Sequence, residues 1–220
     1  MTIATCPYCQ SALKKPPQRK TKCPTCGKAI LVRTRPEDRV RVAVTESEAQ
    51  DIDERWVLHR ERALVLDAVR DGLDAERALV AAKFGGAPLE SDVIWSLLVK
   101  QRQQHSNGRD WGLFSSDTFH MATFLQTEGK HAAAVPYFID VCCLDVWQDE
   151  ELSRETSTRR GAVSTVLPPG VVSRLAHSVR QSSVSTQELR GLLEQRLSML
   201  PMLARWKPNV DELHRGLCVA

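Results

Sequence analysis

Two cysteine pairs near the start of the chain have the residue types and spacing of a metal site. Cys6 and Cys9 enclose two residues, Cys23 and Cys26 enclose two more, and thirteen residues separate the pairs. A two-residue spacing lets both sulfurs of a pair turn towards one ion, and four thiolates fill the tetrahedral shell of a structural Zn²⁺ site. We therefore expect these four cysteines to bind one Zn²⁺ in a closed site that leaves no position for water or substrate.

The positive charge of the chain is concentrated around these cysteines. Residues 1–42 hold ten lysines and arginines against Glu37 and Asp38, a net charge of +8, whereas the remainder carries −5. Such asymmetry favours a nucleic acid or another polyanion as partner, although solvated lysines that keep a small metal module soluble are the alternative. The side chains expected to contact phosphates lie between the cysteine pairs and on the segment after them: Lys14, Lys15, Arg19, Lys20, Lys22, Arg33, Arg35, Arg39 and Arg41.

Catalytic motifs are missing from the sequence. It contains no phosphate-binding glycine loop, no H-E-x-x-H metalloprotease motif and no G-x-S-x-G nucleophile motif, and its six histidines are scattered. An active site would have to be assembled by the fold alone, for instance from His120, His131 and Asp140. We predict that the protein is not an enzyme.

A β-hairpin is predicted directly after the second cysteine pair. Residues 30–35 and 39–44 alternate with a period of two around Pro36-Glu37-Asp38, which places valines on one face and arginines mainly on the other. Leu13 to Lys22 contains Pro16-Pro17 and is predicted to be a loop with little regular structure. This order of cysteine pair, loop, cysteine pair and hairpin resembles the zinc ribbon family over residues 4–44. The resemblance implies that Cys6, Cys9, Cys23 and Cys26 are ligands and that the partner is DNA, RNA or protein; Gln10 stands where the family often has glycine.

The chain after residue 44 has the pattern of helices. Thr45 and Glu48 form a capping box for a helix that runs to about Gly72, a second helix extends from Asp74 to Lys83, and a third begins at Pro88 and ends at Asn107-Gly108. Residues 117–147 resemble a single tetratricopeptide repeat. This resemblance implies an antiparallel helical hairpin in which Pro136 disturbs the second helix unless that helix begins near Ala133.

The composition changes again towards the end of the chain. Residues 149–170 are rich in charged residues, Ser, Thr, Pro and Gly, and are predicted to form a long mobile loop. A helix around 171–179 and a second capping box at Ser185 and Glu188 follow. These two helices are compatible with a helix-turn-helix that offers Gln187, Arg190 and Arg196 to DNA, but the balanced charge of the second helix favours plain packing.

The remaining cysteines and the absence of long apolar runs indicate the compartment. Cys142 and Cys143 are neighbours on a helix and cannot share one ligand face, so we expect small buried side chains, and Cys218 is expected to be exposed. No apolar run approaches the ~18 residues that suggest a transmembrane helix, and the beginning of the sequence lacks a secretory pattern. We expect a cytoplasmic protein without a membrane partner.

The predicted fold is mainly α, with a four-cysteine zinc ribbon and β-hairpin at residues 1–44 followed by an all-helical domain at residues 45–220. The predicted function is that of a non-enzymatic zinc-binding regulator or accessory factor that binds nucleic acid or a nucleic-acid-associated complex. The alternative is an adaptor or scaffold in which the zinc is purely structural and the helical domain binds a protein partner. The sequence indicates neither the identity of the partner nor the oligomeric state.

Overall fold

The computed structural model describes residues 5–155, 167–200, 203, 206 and 208–218. The chain divides into two compact units, residues 1–64 and 65–220. The division falls inside the first long helix, because the beginning of that helix packs on the β-hairpin. No helix in the described ranges is both long enough and apolar enough to cross a membrane.

The N-terminal unit contains a three-stranded antiparallel sheet. Its strands are β1 (Thr21–Lys22), β2 (Ala29–Thr34) and β3 (Arg41–Val44), in the order β1-β2-β3. The predicted hairpin is present as β2 and β3, and residues 36–38 form its turn. The short strand β1 was not expected. It lies at the end of the basic segment that we predicted to have little regular structure, and pairs with the start of β2.

The strand register corrects the predicted distribution of side chains on the hairpin. The pairs are Leu31 with Val44, Val32 with Ala43, Arg33 with Val42 and Thr34 with Arg41. Residues that pair across two strands share a face, so Arg33 lies on the face of Val42 and Val44, whereas Arg41 lies on the opposite face. The prediction of one valine face and one arginine face was wrong, because alternation within each strand does not determine the register between strands.

Both faces of the sheet are covered by apolar side chains. On one face Ile30 is fully buried and packs with Cys6 and Cys23. On the other face Val42 and Val44 pack with residues from the first turns of helix α1 (Glu46–Val69). This helix begins at the predicted capping box: the Thr45 N–H donates to Glu48 Oε2 at 2.8 Å and the Glu48 N–H donates to Thr45 Oγ1 at 3.3 Å.

The C-terminal unit is helical throughout its described part. A 3₁₀ turn at Arg70–Gly72 is followed by α2 (Leu73–Phe84), α3 (Glu90–Gly108), α4 (Trp111–Thr127), α5 (His131–Glu155), α6 (Pro169–Ser182), α7 (Thr186–Met199) and α8 (Val210–Cys218). The prediction of a mainly α protein with a small N-terminal sheet and a helical body is therefore confirmed. The second capping box, at Ser185 and Glu188, is also confirmed as the start of α7, whereas α8 was not predicted.

The helical hairpin α4–α5 forms the centre of this unit. A three-residue turn joins the two helices, and Gly129 within it adopts φ 71°, which a residue with a side chain rarely does. Phe138 and Leu144 of α5 are fully buried and pack against Leu175 of α6 and Leu193 of α7. Helix α5 begins at His131 and continues through Pro136.

The bounds predicted for a loop at residues 149–170 were partly wrong. Helix α5 continues to Glu155 and α6 begins at Pro169, so residues 149–155 were wrongly assigned to a loop. Charged residues tolerate a helix as well as a loop, which is why composition alone misplaced this boundary. Residues 156–166 lie outside the described part of the chain.

Candidate metal centre and basic loop

The fold brings the four predicted ligands together. The Sγ atoms of Cys6, Cys9, Cys23 and Cys26 all lie within 4.8 Å of one another, and the Cys6–Cys26 and Cys9–Cys23 Sγ distances are both 3.8 Å. A tetrahedral ion with zinc–sulfur bonds of about 2.3 Å requires sulfur atoms about 3.8 Å apart. The four cysteines therefore fit a single thiolate-bound metal ion.

Each cysteine pair lies in a tight turn, and the two turns have the same hydrogen-bond pattern. The Cys6 N–H donates to the Ser11 carbonyl and the Gln10 N–H donates to the Cys6 carbonyl, both at 2.9 Å. In the second turn the Cys23 N–H donates to the Lys28 carbonyl and the Gly27 N–H donates to the Cys23 carbonyl, again at 2.9 Å. The sequence repeat C-P-x-C thus becomes a structural repeat that points four sulfurs at one place.

Both turns require a left-handed residue after the second cysteine. Gly27 has φ 71° and the equivalent Gln10 has φ 59°. Glycine adopts this conformation without steric cost, whereas a residue with a Cβ is strained there. Gln10 therefore holds the same backbone shape as Gly27 at a higher conformational energy.

Hydrogen bonds to sulfur favour the thiolate form of two ligands. The pKa of Cys23 is lowered to about 6, first by the Cys26 N–H and then by the Thr25 N–H and the Ser11 hydroxyl, against the opposing effect of burial. The pKa of Cys9 is also lowered, first by the Ser11 hydroxyl and then by the Ser11 N–H. Ser11 Oγ lies 3.0 Å from Cys9 Sγ and 3.8 Å from Cys23 Sγ. Ser11 was not predicted to be part of the site.

The pKa of the Cys26 thiol is shifted in the opposite direction to those of Cys9 and Cys23. The Lys28 N–H lowers the pKa of Cys26, but burial and the neighbouring sulfurs of Cys23, Cys9 and Cys6 raise it to about 11. Several thiolates in one small volume repel each other, so the last of them stays protonated at neutral pH unless a positive charge compensates. A bound metal ion supplies that charge and displaces the proton.

The basic segment between the cysteine pairs forms a concave surface. Residues 13–22 together with Pro24 surround a depression of about 450 Å³. Five exposed cations line it: Lys14, Lys15, Arg19, Lys20 and Lys22. Within the described ranges none of these five side chains makes an ion pair. We call this surface the basic loop.

The four predicted arginines of the hairpin are already engaged. Arg33 Nε donates to Asp53 Oδ1 at 2.9 Å, and Arg35 forms an ion pair with Asp38. The Arg39 guanidinium lies 4.5 Å from the centre of the Trp56 ring, and Arg41 Nη2 donates to the Gln18 carbonyl at 2.5 Å. The structure thus separates the nine predicted nucleic-acid contacts into five cations without an acid partner and four arginines with intramolecular partners.

The C-terminal unit gives the other candidate residues structural partners. Arg196 donates to Asp140 from Nε and Nη2, at 2.7 and 2.5 Å. Arg190 pairs with Asp211 at 2.8 Å and with Glu194 at 3.1 Å. Two of the three side chains of the helix-turn-helix alternative are therefore occupied.

The two histidines considered for an assembled active site, His120 and His131, do not share hydrogen bonds with each other or with Asp140 in the described structure. The His131 ring packs against the His177 ring at 5.4 Å, and burial lowers the pKa of both His120 and His131. No hydrogen bond between described residues joins His120, His131 and Asp140.

Cys142 and Cys143 are buried as expected, burial raises the pKa of Cys142 to about 12, and Cys218 is exposed.

A scan of protein-family models and searches of curated proteins and of solved structures gave no match to this chain.

Proposed function

We propose that this protein is a non-enzymatic zinc protein that binds nucleic acid, or a nucleic-acid-associated complex, through its basic loop as a regulator or accessory factor. The observation that carries the proposal is the concentration of five exposed cations around one depression, each without an acid partner in the described structure. Unpaired lysine and arginine side chains are the groups that neutralise phosphates and release counterions.

Zinc is the metal that the donor set favours. Four thiolates in a tetrahedral arrangement are typical of structural zinc, and a unit of about 60 residues gains from metal binding much of the folding free energy that its small core does not provide. The four ligands leave no open coordination position. The ion therefore holds both ends of the basic loop, between Cys9 and Cys23, and takes no part in chemistry.

The composition of the basic loop favours contact with phosphates over reading of bases. Its lining holds four lysines, one arginine, three prolines, Leu13, Gln18 and Thr21, with no aromatic side chain among the described lining residues. Sequence-tolerant stacking of single strands uses aromatic side chains, and base-edge recognition uses side chains inserted into a groove. We therefore expect binding that depends strongly on salt and weakly on base sequence.

Fluorescence anisotropy with duplex and single-stranded oligonucleotides over a salt series tests this function. Replacing Lys14, Lys15 and Lys20 with alanine removes three phosphate contacts, so the slope of log K against log salt should decrease in magnitude by about 2 to 3. The matched control removes three exposed cations elsewhere, Arg60, Lys83 and Lys130. Absence of binding at low salt, or an equal loss in the control, contradicts the proposal.

One surface of the helical unit favours the adaptor as a second candidate function. A groove of about 680 Å³ between α2 and α3 is lined by Leu79, Phe84 and Trp95, and the Phe84 side chain is 75% exposed. Exposed apolar groups of this kind mark protein interaction sites. Phe84→Asp should then abolish capture of a partner protein, or self-association in light scattering, while nucleic-acid binding stays unchanged. If Phe84→Asp affects neither partner capture nor self-association, this candidate function is rejected.

A further inference from the structure

A second concave site lies within the helical unit, between α3, α4, α5 and α7. Its volume is about 490 Å³, inside the range of roughly 300–1,000 Å³ that small-molecule pockets occupy. Phe114, Met121, Tyr137 and Leu200 form an apolar wall, and Arg102 and Arg196 also line the cavity. The described lining residues include no aspartate or glutamate.

The two arginines at this cavity share one carboxylate. Asp140 has no solvent exposure and does not line the cavity. It accepts hydrogen bonds from Arg196 at 2.7 and 2.5 Å and a longer one, 3.4 Å, from Arg102. Burial raises the pKa of Asp140, but two guanidinium groups oppose its protonation, and arginine itself stays charged. The lining of the cavity therefore carries two guanidinium groups and, among the described residues, no carboxylate.

Part of the hydrogen-bonding capacity of both arginines remains unused. Arg102 donates from Nε to Thr118 Oγ1 at 2.9 Å and from Nη2 to Asp140, which leaves Nη1 without an acceptor in the described structure. Arg196 uses Nε and Nη2 on Asp140, and its Nη1 meets only the Met199 sulfur at 3.9 Å among the described residues. A thioether is a weak acceptor, so both guanidinium groups retain donors for a stronger one.

The Arg102 guanidinium is held in place before any ligand arrives. It lies 4.4 Å from the centre of the Phe114 ring, and its Thr118 partner is in turn hydrogen bonded to the Phe114 carbonyl at 2.7 Å. Asp117, whose charge also acts on Arg102, is engaged by His105 Nδ1 at 2.5 Å. A donor fixed by packing loses little conformational entropy when it binds an anion.

We propose that this cavity binds a small organic anion, with its carboxylate or phosphate group on Arg102 and Arg196 and its apolar body against Phe114, Met121 and Leu200. The planar guanidinium group matches both oxyanions. This site is independent of the metal centre and of the basic loop, so it does not depend on the proposed nucleic-acid function.

Calorimetry on the zinc-loaded full chain tests the proposal with four probes: phenyl phosphate, benzoate, inorganic phosphate and benzylamine. Phenyl phosphate or benzoate should bind, and whichever binds more tightly identifies the oxyanion. Inorganic phosphate lacks the apolar body and should bind more weakly. Benzylamine carries the opposite charge and should not bind.

Substitution of an arginine would expose Asp140 as an unpaired buried charge and risks unfolding, so the matched variants are placed at the cavity edge. Gln103 is exposed and lines the cavity, whereas the exposed Gln104 does not. Gln103→Trp should weaken binding of the aryl anion by at least about tenfold and Gln104→Trp should leave it unchanged. The alanine variant of Lys14, Lys15 and Lys20 should also leave it unchanged, which separates this site from the basic loop.

The proposal is overturned if neither aryl anion binds, if benzylamine binds as tightly, or if Gln103→Trp binds as well as Gln104→Trp. Loss of binding in the lysine variant would assign the anion to the basic loop and equally overturn the helical site.

Discussion

Ser11 is the residue whose side chain connects two of the four metal ligands. Its hydroxyl lies 3.0 Å from Cys9 Sγ and 3.8 Å from Cys23 Sγ and favours the thiolate form of both. Ser11 also donates its backbone N–H to Cys9, and the equivalent residue of the second turn, Lys28, contributes a backbone N–H alone. Ser11 therefore orients the ligands although it does not bind the ion.

Ser11→Ala should weaken zinc binding by about tenfold, because hydrogen bonds to ligands typically account for 10–100-fold in metal affinity. Competition with a chromogenic chelator measures the dissociation constant. Ser11→Thr keeps the hydroxyl and is the control. An alanine variant with unchanged affinity would show that the backbone N–H groups alone position the sulfurs.

Substitutions at the left-handed residue of each turn should change the stability of the N-terminal unit in opposite directions. Gln10→Gly relieves a strained φ of 59° and should stabilise the zinc-loaded N-terminal unit, whereas Gly27→Gln introduces the same strain and should destabilise it by about 1 kcal/mol. A Cβ at Gly27 meets no atom within 4 Å, so the expected loss is a backbone effect. Hydrogen exchange of the amides at residues 10 and 27 measures both changes, and destabilisation by Gln10→Gly would contradict this account.

At the scale of the helices, Asp140 connects three elements that are far apart in sequence. It lies on α5 and binds Arg102 of α3 and Arg196 of α7, across sequence separations of 38 and 56 residues. The carboxylate is buried, so its two partners depend on it for charge compensation. The packing of α3 and α7 on α5 therefore includes an ionic cluster in addition to apolar contacts.

Asp140→Asn should destabilise the helical unit by about 3 kcal/mol or more, because it removes the carboxylate that two partly buried guanidinium groups share. Urea unfolding followed by circular dichroism measures the change. Asp71→Asn makes the same chemical substitution at an exposed site and should change stability by less than about 0.5 kcal/mol. Equal effects of the two variants would rule out a structural role for the cluster.

At the scale of the whole molecule, the two compact units contain different classes of cysteine. Four thiols of the N-terminal unit form the candidate metal centre, two thiols of the helical unit are buried in its core, and Cys218 is exposed. The classes predict how the protein responds to removal of the metal.

Alkylation followed by mass spectrometry should label only Cys218 in the zinc-loaded protein. A chelator should add labels at the four ligand cysteines while Cys142 and Cys143 stay protected, because the helical unit does not use the metal for its core. Circular dichroism should then retain most of its helical signal. Labelling of Cys142 on chelation would show instead that the helical unit needs the metal to stay folded.

Much of this organisation follows from short stretches of sequence. The spacing of the cysteines between Cys6 and Cys26 was enough to predict the candidate metal centre, and four residues were enough to predict each capping box. The strand register did not follow, because it depends on pairing between two strands that each alternate correctly on their own. The extension of α5 to Glu155 also did not follow, because a charged segment of this kind is compatible with helix and loop.

The sequence by itself determined the four candidate ligands, the basic character of the segment between them and the helical class of the remainder, because these properties depend on local spacing and composition. The tertiary structure decided which cations are available: it left Lys14, Lys15, Arg19, Lys20 and Lys22 exposed, paired the hairpin arginines within the N-terminal unit, and placed Arg102 and Arg196 at one cavity. The physical reason is that residue type determines only the charge of a side chain. Its partners depend on which distant segments of the chain pack against it.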